Sequence, residues 1–246
     1  MLERFASAGE PLRVIVIGSS GGIGQAVVRK LISSEQIDKV FCLSRNGRDG
    51  SHQKIQSVKM DLTDSHSIEN AASIVQERGE IDLVIIASGI LHDETVAPEK
   101  DWKQMDGASM AKVFAVNTIG PALAMARFGD LLPRDRPSMM IAISARVGSI
   151  SDNRMGGWYS YRASKAALNQ IIKTYSIELK RKRKQAIVLG FHPGTVSTDL
   201  SEPFQSNSHE RFTPEQCADY LLNVINTASA EESGNVLDWA GKTVPA

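Results

Sequence analysis

Short apolar segments alternate along this chain with longer segments whose apolar residues recur every three or four positions. The short segments predict buried strands at residues 14–17, 39–44, 55–60, 81–86, 139–143, 186–191 and 235–239. The longer segments predict helices at 23–33, 67–78, 108–128 and 159–180, and a last helix that starts at Thr213. This regular alternation indicates an α/β fold, a doubly wound parallel sheet of about seven strands with helices on both faces.

Composition and charge limit the class of partner. The chain has 246 residues, of which 42% are hydrophobic, so it can bury one large core, and we interpret residues 1–246 as a single domain. Lysine plus arginine equals aspartate plus glutamate at 28 each, so no net charge attracts nucleic acid or an anionic membrane. The basic run at 180–184 closes a predicted helix and is interpreted as a solvated helix end. A small molecule is the expected partner.

Cysteine usage and hydropathy suggest a compartment. Cys42 falls in a predicted strand and Cys217 in a predicted helix, which argues against a disulfide framework. No apolar segment approaches the roughly 18 residues of a membrane span, and the first eleven residues lack a signal-peptide core. The five histidines show no metal-ligand spacing, although His92 and His192 are candidates to line a cleft. We therefore expect a cytoplasmic protein without a metal site.

A glycine cluster lies between the first predicted strand and the first predicted helix. It comprises Gly18, Gly21, Gly22 and Gly24. Glycine permits the tight turn that this position needs and lets a phosphate approach the backbone N–H groups at the positive end of a helix. The alternative is a structural turn that holds no ligand. The position between strand and helix favours a dinucleotide site, provided that a second site elsewhere agrees.

The residues that follow the second and third strands bear on the identity of the dinucleotide. Ser44 and Arg45 stand about 20 residues beyond the glycine turn, where an acidic residue would favour NAD. The planar guanidinium of Arg45 suits a 2′-phosphate, so NADP (NADPH) is preferred over NAD. An ordinary solvated loop arginine is the alternative, and Arg48 could take over the role. Asp61 is a candidate acceptor for the adenine amino group, or else a turn residue.

Tyr161 and Lys165 form a second constellation, on a predicted helix. Four residues apart, they lie one above the other on the same helical face. A phenol whose ordinary pKa is near 10 exchanges its proton at neutral pH only if that pKa is lowered, and a nearby ammonium group does this. Alone, such a pair is usually unremarkable; with the glycine turn it indicates proton transfer beside a dinucleotide. Tyr159 is the other tyrosine considered for this role, but no lysine stands four residues after it.

With these motifs the chain resembles the classical short-chain dehydrogenase/reductase family over nearly its whole length. From Ile143 through Gly156–Trp158 to Leu168 it is similar to the C-factor and sniffer-type carbonyl reductase branch. The resemblance implies a Rossmann fold, catalysis without a metal, and a homodimer or homotetramer built through the two long helices.

The resemblance also assigns roles to individual residues. It implies that Tyr161 is the general acid/base, that Lys165 lowers the tyrosine pKa and holds the nicotinamide ribose, and that Asn117 positions a water in a proton relay. Without the resemblance, Asn117 is predicted to be a buried polar helix residue bonded to neighbouring backbone, and this is compatible with that role. The expected cofactor-binding residues are Gly18, Ser20, Gly22, Ile23, Gly24, Ser44, Arg45, Asp61, Leu62, Ser88, Gly89, Asn117, Tyr161, Lys165, Pro193, Gly194 and Thr195.

The chain departs from the family at Ala145, where the catalytic serine normally stands. Alanine cannot polarise a carbonyl. Ser149 is the first candidate to replace the hydroxyl and Ser144 the second, although a loop serine is more often a plain turn residue. The polar, unpatterned segment 198–212 is the candidate substrate lid.

The leading hypothesis is an NADPH-dependent oxidoreductase that transfers hydride between nicotinamide and a carbonyl or alcohol substrate. The alternative is an NAD(P)-binding regulatory or signalling protein with little or no turnover, suggested by Ala145 and the C-factor resemblance. A nucleotide-sugar epimerase is disfavoured because the chain is too short for an additional substrate domain. The sequence does not identify the substrate.

Overall fold

The computed structural model describes residues 2–8, 11–47, 51–202 and 211–246. Arg48 and the central part of the expected lid, residues 203–210, lie outside the described residues. In chain order, the elements are β1 (Leu12–Ile17), α1 (Gly22–Ile32), β2 (Ile37–Ser44), β3 (Ile55–Lys59), α2 (Ser65–Gln76), β4 (Leu83–Ile86), α3 (Gly107–Phe114), a π-helical segment (Ala115–Ile119), α4 (Gly120–Phe128), β5 (Ser138–Ile143), α5 (Tyr159–Lys182), β6 (Ala186–His192), β7 (Thr195–Val196), β8 (Arg211–Phe212), α6 (Pro214–Thr227) and β9 (Val236–Asp238).

Seven of these strands form one parallel sheet in the order β3-β2-β1-β4-β5-β6-β9. The chain winds outward from the central β1 to β3, then crosses back to β4 and winds outward on the other side. Ile17, at the end of β1, pairs with Leu43 on one side and with Ile86 on the other. The prediction of a doubly wound parallel sheet of about seven strands is confirmed. The reversal of strand order between β1 and β4 opens a crevice at the carboxyl ends of the strands.

Two apolar layers cover the faces of the sheet. Val14 and Val16 of β1 pack with α1 and α6, whereas Ile15 and Ile17 pack into the layer that includes α2, α4 and α5. Burial on both faces is why the strands are continuously apolar rather than alternating. Thr213 starts α6 with the capping box that its sequence predicts.

The predicted helix at 108–128 is divided. A π-helical segment, Ala115–Ile119, joins α3 to α4 and contains Asn117. Such insertions leave the apolar pattern nearly unchanged, so periodicity does not show them, and they are frequent at functional sites. The short parallel pair β7 and β8 was also not predicted. Within the described part of the chain, no helix is both long and apolar enough to cross a bilayer.

Candidate active site

The glycine turn closes against the ends of two neighbouring strands. Gly18 has a φ of +79°, and its N–H donates to the Leu43 carbonyl at 2.8 Å. A Cβ on Gly18 would lie 2.5 Å from Ser88 Oγ, and a Cβ on Gly24 would lie 2.2 Å from the Gly18 carbonyl oxygen. Both positions therefore require glycine, one because of its backbone conformation and its neighbour, the other because the turn folds back on itself.

The first turn of α1 is open at its amino end. Its N-cap is Gly21, which provides no side-chain cap, and Gly21 and Gly22 are exposed. A Cβ on Gly22 would lie 2.8 Å from Thr198 Cγ2, so the chain after β7 lies close above the turn. Ser20 contributes its carbonyl to a bond from Gln25 Nε2 at 2.8 Å. Backbone N–H groups at an uncapped helix start, in a space that side chains would fill, fit a dinucleotide pyrophosphate.

The candidates for the adenosine end lie at the ends of β2 and β3. Ser44 is buried and Arg45 is exposed. Asp61 accepts from the Thr63 N–H at 2.8 Å and from Thr63 Oγ1 at 2.7 Å. The backbone bond from Thr63 and, to a smaller extent, the charge of Arg45 lower the pKa of Asp61. Asp61 therefore stabilises the turn after β3, and it lies close enough to Arg45 for the two charges to interact. Leu62 is buried where Gly120 approaches its carbonyl.

Asn117 joins the loop after β4 to the helix that carries the proposed acid. Its side chain is fully buried, with Oδ1 accepting from the Ile90 N–H at 2.8 Å. Its Nδ2 donates to the Ile90 carbonyl at 2.8 Å and to Ser164 Oγ at 3.2 Å. A Cβ on Gly89 would lie 3.4 Å from Asn117 Oδ1 and 3.7 Å from Lys165 Nζ. The structure therefore brings Gly89, Asn117 and Lys165 together at one point of the crevice.

Tyr161 and Lys165 lie on the first two turns of α5, as predicted. Lys165 Nζ lies 5.8 Å from the centroid of the Tyr161 ring and donates to the Ile143 carbonyl at 2.9 Å. Lys165 is 2% exposed, and burial lowers its pKa to about 8. Burial raises the pKa of Tyr161 to about 12. This upward shift is opposite in direction to the lowering of the tyrosine pKa expected from sequence, and its cause is desolvation of the phenol.

The hydroxyls proposed to replace the family serine are engaged elsewhere. Ser144 Oγ donates to Asn169 Oδ1, and Asn169 lies eight residues beyond Tyr161, about 12 Å along the helix axis. Ser149 is buried; its hydroxyl accepts from the Asp152 N–H at 3.1 Å and donates to the Ala246 carbonyl at 3.4 Å. These three hydrogen bonds are typical of serines that stabilise turns and packing contacts. The assignment of Ser149 or Ser144 to catalysis stays a prediction.

The turn after β6 rests on aromatic side chains that the sequence analysis missed. Gly194 has a φ of +74°, and a Cβ there would lie 2.8 Å from Phe212 Cε2 and 3.1 Å from Trp239 Cδ1. Phe212, Tyr220 and Trp239 pack edge-on or tilted, with ring centroids 4.9 to 5.3 Å apart. They are too far apart in sequence for any local signal to group them. This cluster fills the space that a side chain at position 194 would need, so the turn requires glycine there.

Two histidines noted in the sequence lie in the loop after β4 and at the end of β6. His92 Nε2 lies 3.0 Å from the Asp199 carbonyl, so the loop after β4 contacts the start of the candidate lid. His192, at the end of β6, has a buried Nδ1 to which no described residue makes a hydrogen bond. Burial, partly opposed by Asp238, lowers its pKa to about 4. Among the described residues, no group of three or more histidine, cysteine or acidic side chains is placed to hold a metal.

Comparisons with known proteins agree with this geometry. The family model described as short chain dehydrogenase matches residues 13–209. A 1-hydroxy-2-glutathionyl-2-methyl-3-butene dehydrogenase from a Rhodococcus species is 30% identical, over 90% of this chain and 93% of its own. The C-signal protein of Myxococcus xanthus is 32% identical over 57% of this chain and 81% of its own, in agreement with the predicted C-factor branch.

A solved structure extends the likeness to three dimensions. The NADPH-bound carbonyl reductase from chicken fatty liver is 27% identical and superposes with a TM-score of 0.83, covering 96% of this chain and all of its own. The glycine turn, the Tyr161–Lys165 pair and the doubly wound sheet thus occur together with a family match over most of the sequence. The chain belongs to the short-chain dehydrogenase family of oxidoreductases.

Proposed function

We propose that this protein is an NADPH-dependent oxidoreductase that transfers hydride between nicotinamide and a carbonyl or alcohol substrate. The observation that carries the proposal is the convergence of Asn117, Lys165 and Gly89 beside the glycine turn, with Tyr161 one helical turn from Lys165. The proposal draws support from the NADPH-bound carbonyl reductase that this chain resembles.

Each residue has a distinct task in the proposed reduction. Tyr161 donates its phenolic proton to the carbonyl oxygen of the substrate. Lys165, whose pKa of about 8 leaves it mainly protonated at neutral pH, stabilises the phenolate that forms. Asn117 holds the loop after β4 in place and positions the water through which Tyr161 regains its proton. A dinucleotide held by the glycine turn and Lys165 would supply the hydride and, in its oxidised form, a positive charge that favours the phenolate in the reverse direction.

The preference for NADPH rests on Arg45. Its exposed guanidinium follows β2 directly, at the edge of the crevice where a 2′-phosphate would lie. Asp61 lowers the local positive charge but is already bonded to Thr63. The exposed guanidinium presents planar N–H donors that suit a phosphate.

Substitution of the two neighbouring phenols tests the proposal. We expect Tyr161→Phe to lower kcat about 100- to 10,000-fold, because a general acid contributes that much, while the Kd for NADPH changes little. Tyr159→Phe is the matched control, since Tyr159 lies on the same turn without a lysine four residues on. NADPH consumption is followed by absorbance with aldehydes, ketones and quinones. Undiminished turnover in Tyr161→Phe would refute the mechanism.

A second candidate function is a dinucleotide-binding regulator with little turnover. The observation that favours it is Ala145, together with the engaged hydroxyls of Ser144 and Ser149. Similarity to C-signal points the same way. NADPH binding in equilibrium dialysis, combined with no consumption on any substrate of the panel, would support this candidate over the first.

A further inference from the structure

The helix that carries Tyr161 and Lys165 begins without a local cap. Gly156, Gly157 and Trp158 enter it with φ angles of +66°, +65° and +53°. Trp158 occupies the N-cap position and provides no side-chain cap. A left-handed conformation is unfavourable for tryptophan and persists only where the surroundings hold it. Something outside this segment must therefore fix the start of α5.

Glu99, about 60 residues earlier in the chain, makes these contacts. Its two carboxyl oxygens accept from the Ser160 N–H at 3.1 and 3.3 Å, and Ser160 Oγ donates to Oε1. The Glu99 backbone carbonyl accepts from the Trp158 N–H. Glu99 and Ser160 are each 4% exposed, so water cannot replace these bonds. Glu99 thus supplies the cap that the sequence around Trp158 lacks.

These contacts bracket Tyr161. Ser160 precedes it directly, and the Trp158 ring meets the Tyr161 ring edge-on with 6.1 Å between centroids. The Trp158 carbonyl accepts from the Arg162 N–H at 2.8 Å, which closes the first helical turn around Tyr161. A Cβ on Gly157 would lie 3.3 Å from the Glu99 carbonyl oxygen, so the two segments pack closely.

We propose that Glu99 is a positioning residue for the catalytic tyrosine: it fixes Trp158 and Ser160 and thereby the placement of the Tyr161 hydroxyl. The inference rests on the proposed function of Tyr161. Burying a carboxyl group costs free energy, and a serine or aspartate at the N-cap would stabilise the helix as well. Unlike a local cap, Glu99 also ties α5 to the loop that follows β4. Asn117 holds the same loop through Ile90.

Steady-state kinetics separate positioning from mere stability. We expect Glu99→Ala to lower kcat about 10- to 100-fold, because small displacements of a reacting group cost that much, with the NADPH Kd within about twofold of wild type. Glu99→Gln keeps an acceptor oxygen and the side-chain shape, and should recover most of kcat. Glu94→Ala, an exposed position on the same loop, is the control. Wild-type kcat in folded Glu99→Ala would overturn the proposal.

Amide hydrogen exchange gives a readout that does not depend on turnover. We expect faster exchange at residues 158–162 in Glu99→Ala and unchanged exchange in the second half of α5, with Ser160→Ala showing a weaker effect in the same place. Unchanged exchange at 158–162 would overturn the proposal, as would a kcat loss that only follows the unfolded fraction. If Glu99→Ala does not fold, Glu99→Gln and Ser160→Ala carry the same comparison. If the wild type shows no turnover, the proposed function fails, while the exchange result still decides whether Glu99 fixes this turn.

Discussion

Burial acts in opposite directions on the two side chains of the proposed acid–base pair. It raises the pKa of Tyr161 to about 12 and lowers the pKa of Lys165 to about 8. Both shifts favour the neutral form, because charge is poorly solvated in this part of the crevice. A tyrosine that keeps its proton suits the protonation of a carbonyl oxygen. The lysine is then the group whose ionisation falls within an ordinary pH range.

The pH dependence of reduction should follow Lys165. Below about pH 8 it carries its proton and stabilises the phenolate; as the pH rises through that value the charge and the stabilisation are lost. We expect kcat/KM for NADPH, which reports the free enzyme, to decline above about pH 8. Lys165→Arg keeps the charge to higher pH and should move the decline upward even where it lowers the rate. A profile that is the same in both proteins would contradict this assignment.

Arg45 should decide between the two dinucleotides. Loss of a charge-assisted bond to phosphate costs about 1.5–3 kcal/mol, so we expect Arg45→Ala to raise the Kd for NADPH roughly 10- to 100-fold. The Kd for NADH should stay within about twofold. Arg78→Ala, an exposed arginine at the end of α2, is the matched control. Equal losses for both dinucleotides, measured by fluorescence titration, would assign Arg45 to a general role in binding.

At the scale of elements, the strand-turn-helix unit from β1 to α1 contains glycines that leave no space for a Cβ and glycines that do. A Cβ on Gly24 would lie 2.2 Å from the Gly18 carbonyl oxygen, whereas a Cβ on Gly21 would lie 3.5 Å from the same atom, an ordinary contact. Gly21 also has a φ of −78°, which any residue adopts. The same turn therefore offers a test and its control three residues apart.

We expect Gly24→Ala to lose stability by about 1–3 kcal/mol and to bind NADPH more weakly, because the turn must open to admit the methyl group. Gly21→Ala should change the stability much less, because its methyl group meets only an ordinary contact. Urea unfolding and dinucleotide titration measure the two effects. Comparable losses of stability in the two variants would contradict the difference that the backbone geometry predicts.

The other element that shapes the site is the π-helical segment Ala115–Ile119. One extra residue in the helical turn rotates the chain between α3 and α4, and Asn117 then reaches both Ile90 and Ser164. The sequence placed Asn117 on a helix, and a regular helix was predicted through it. The insertion depends on packing against α5 and the loop after β4, which no local periodicity records.

At the scale of the whole molecule, the strand order brings the glycine turn after β1 and the loop after β4 together at the carboxyl ends of the strands. The ends of β1 and β4 lie side by side, so the glycine turn and Gly89 become neighbours although they are far apart in sequence. The contact between His92 and Asp199 joins the loop after β4 to the segment after β7. Thr198 lies close to Gly22 of the glycine turn, and the role of 198–212 as a substrate lid stays a prediction.

Self-association is predicted through the long helices, that is, the π-helical segment with α4 on one side and α5 on the other. Ile119, Leu123 and Ile177 are 52, 38 and 51% exposed, on the π-helical segment, α4 and α5. We expect a dimer or tetramer in size-exclusion chromatography with light scattering, and dissociation by Leu123→Glu or Ile177→Glu. Ile74→Glu on α2, at 42% exposure, is the control. A wild-type monomer at micromolar concentration would contradict this expectation.

Local patterns in the sequence were sufficient for the seven strands of the main sheet, most helix bounds, the glycine turn and the shared face of Tyr161 and Lys165. Each of these depends on residues within a few positions of one another, where backbone preference and periodicity act directly. Only the tertiary structure decided the cap that Glu99 provides, the bonds that engage Ser144 and Ser149, and the direction of both pKa shifts. These depend on which distant side chains meet and on how completely they exclude water, and a linear sequence carries neither quantity.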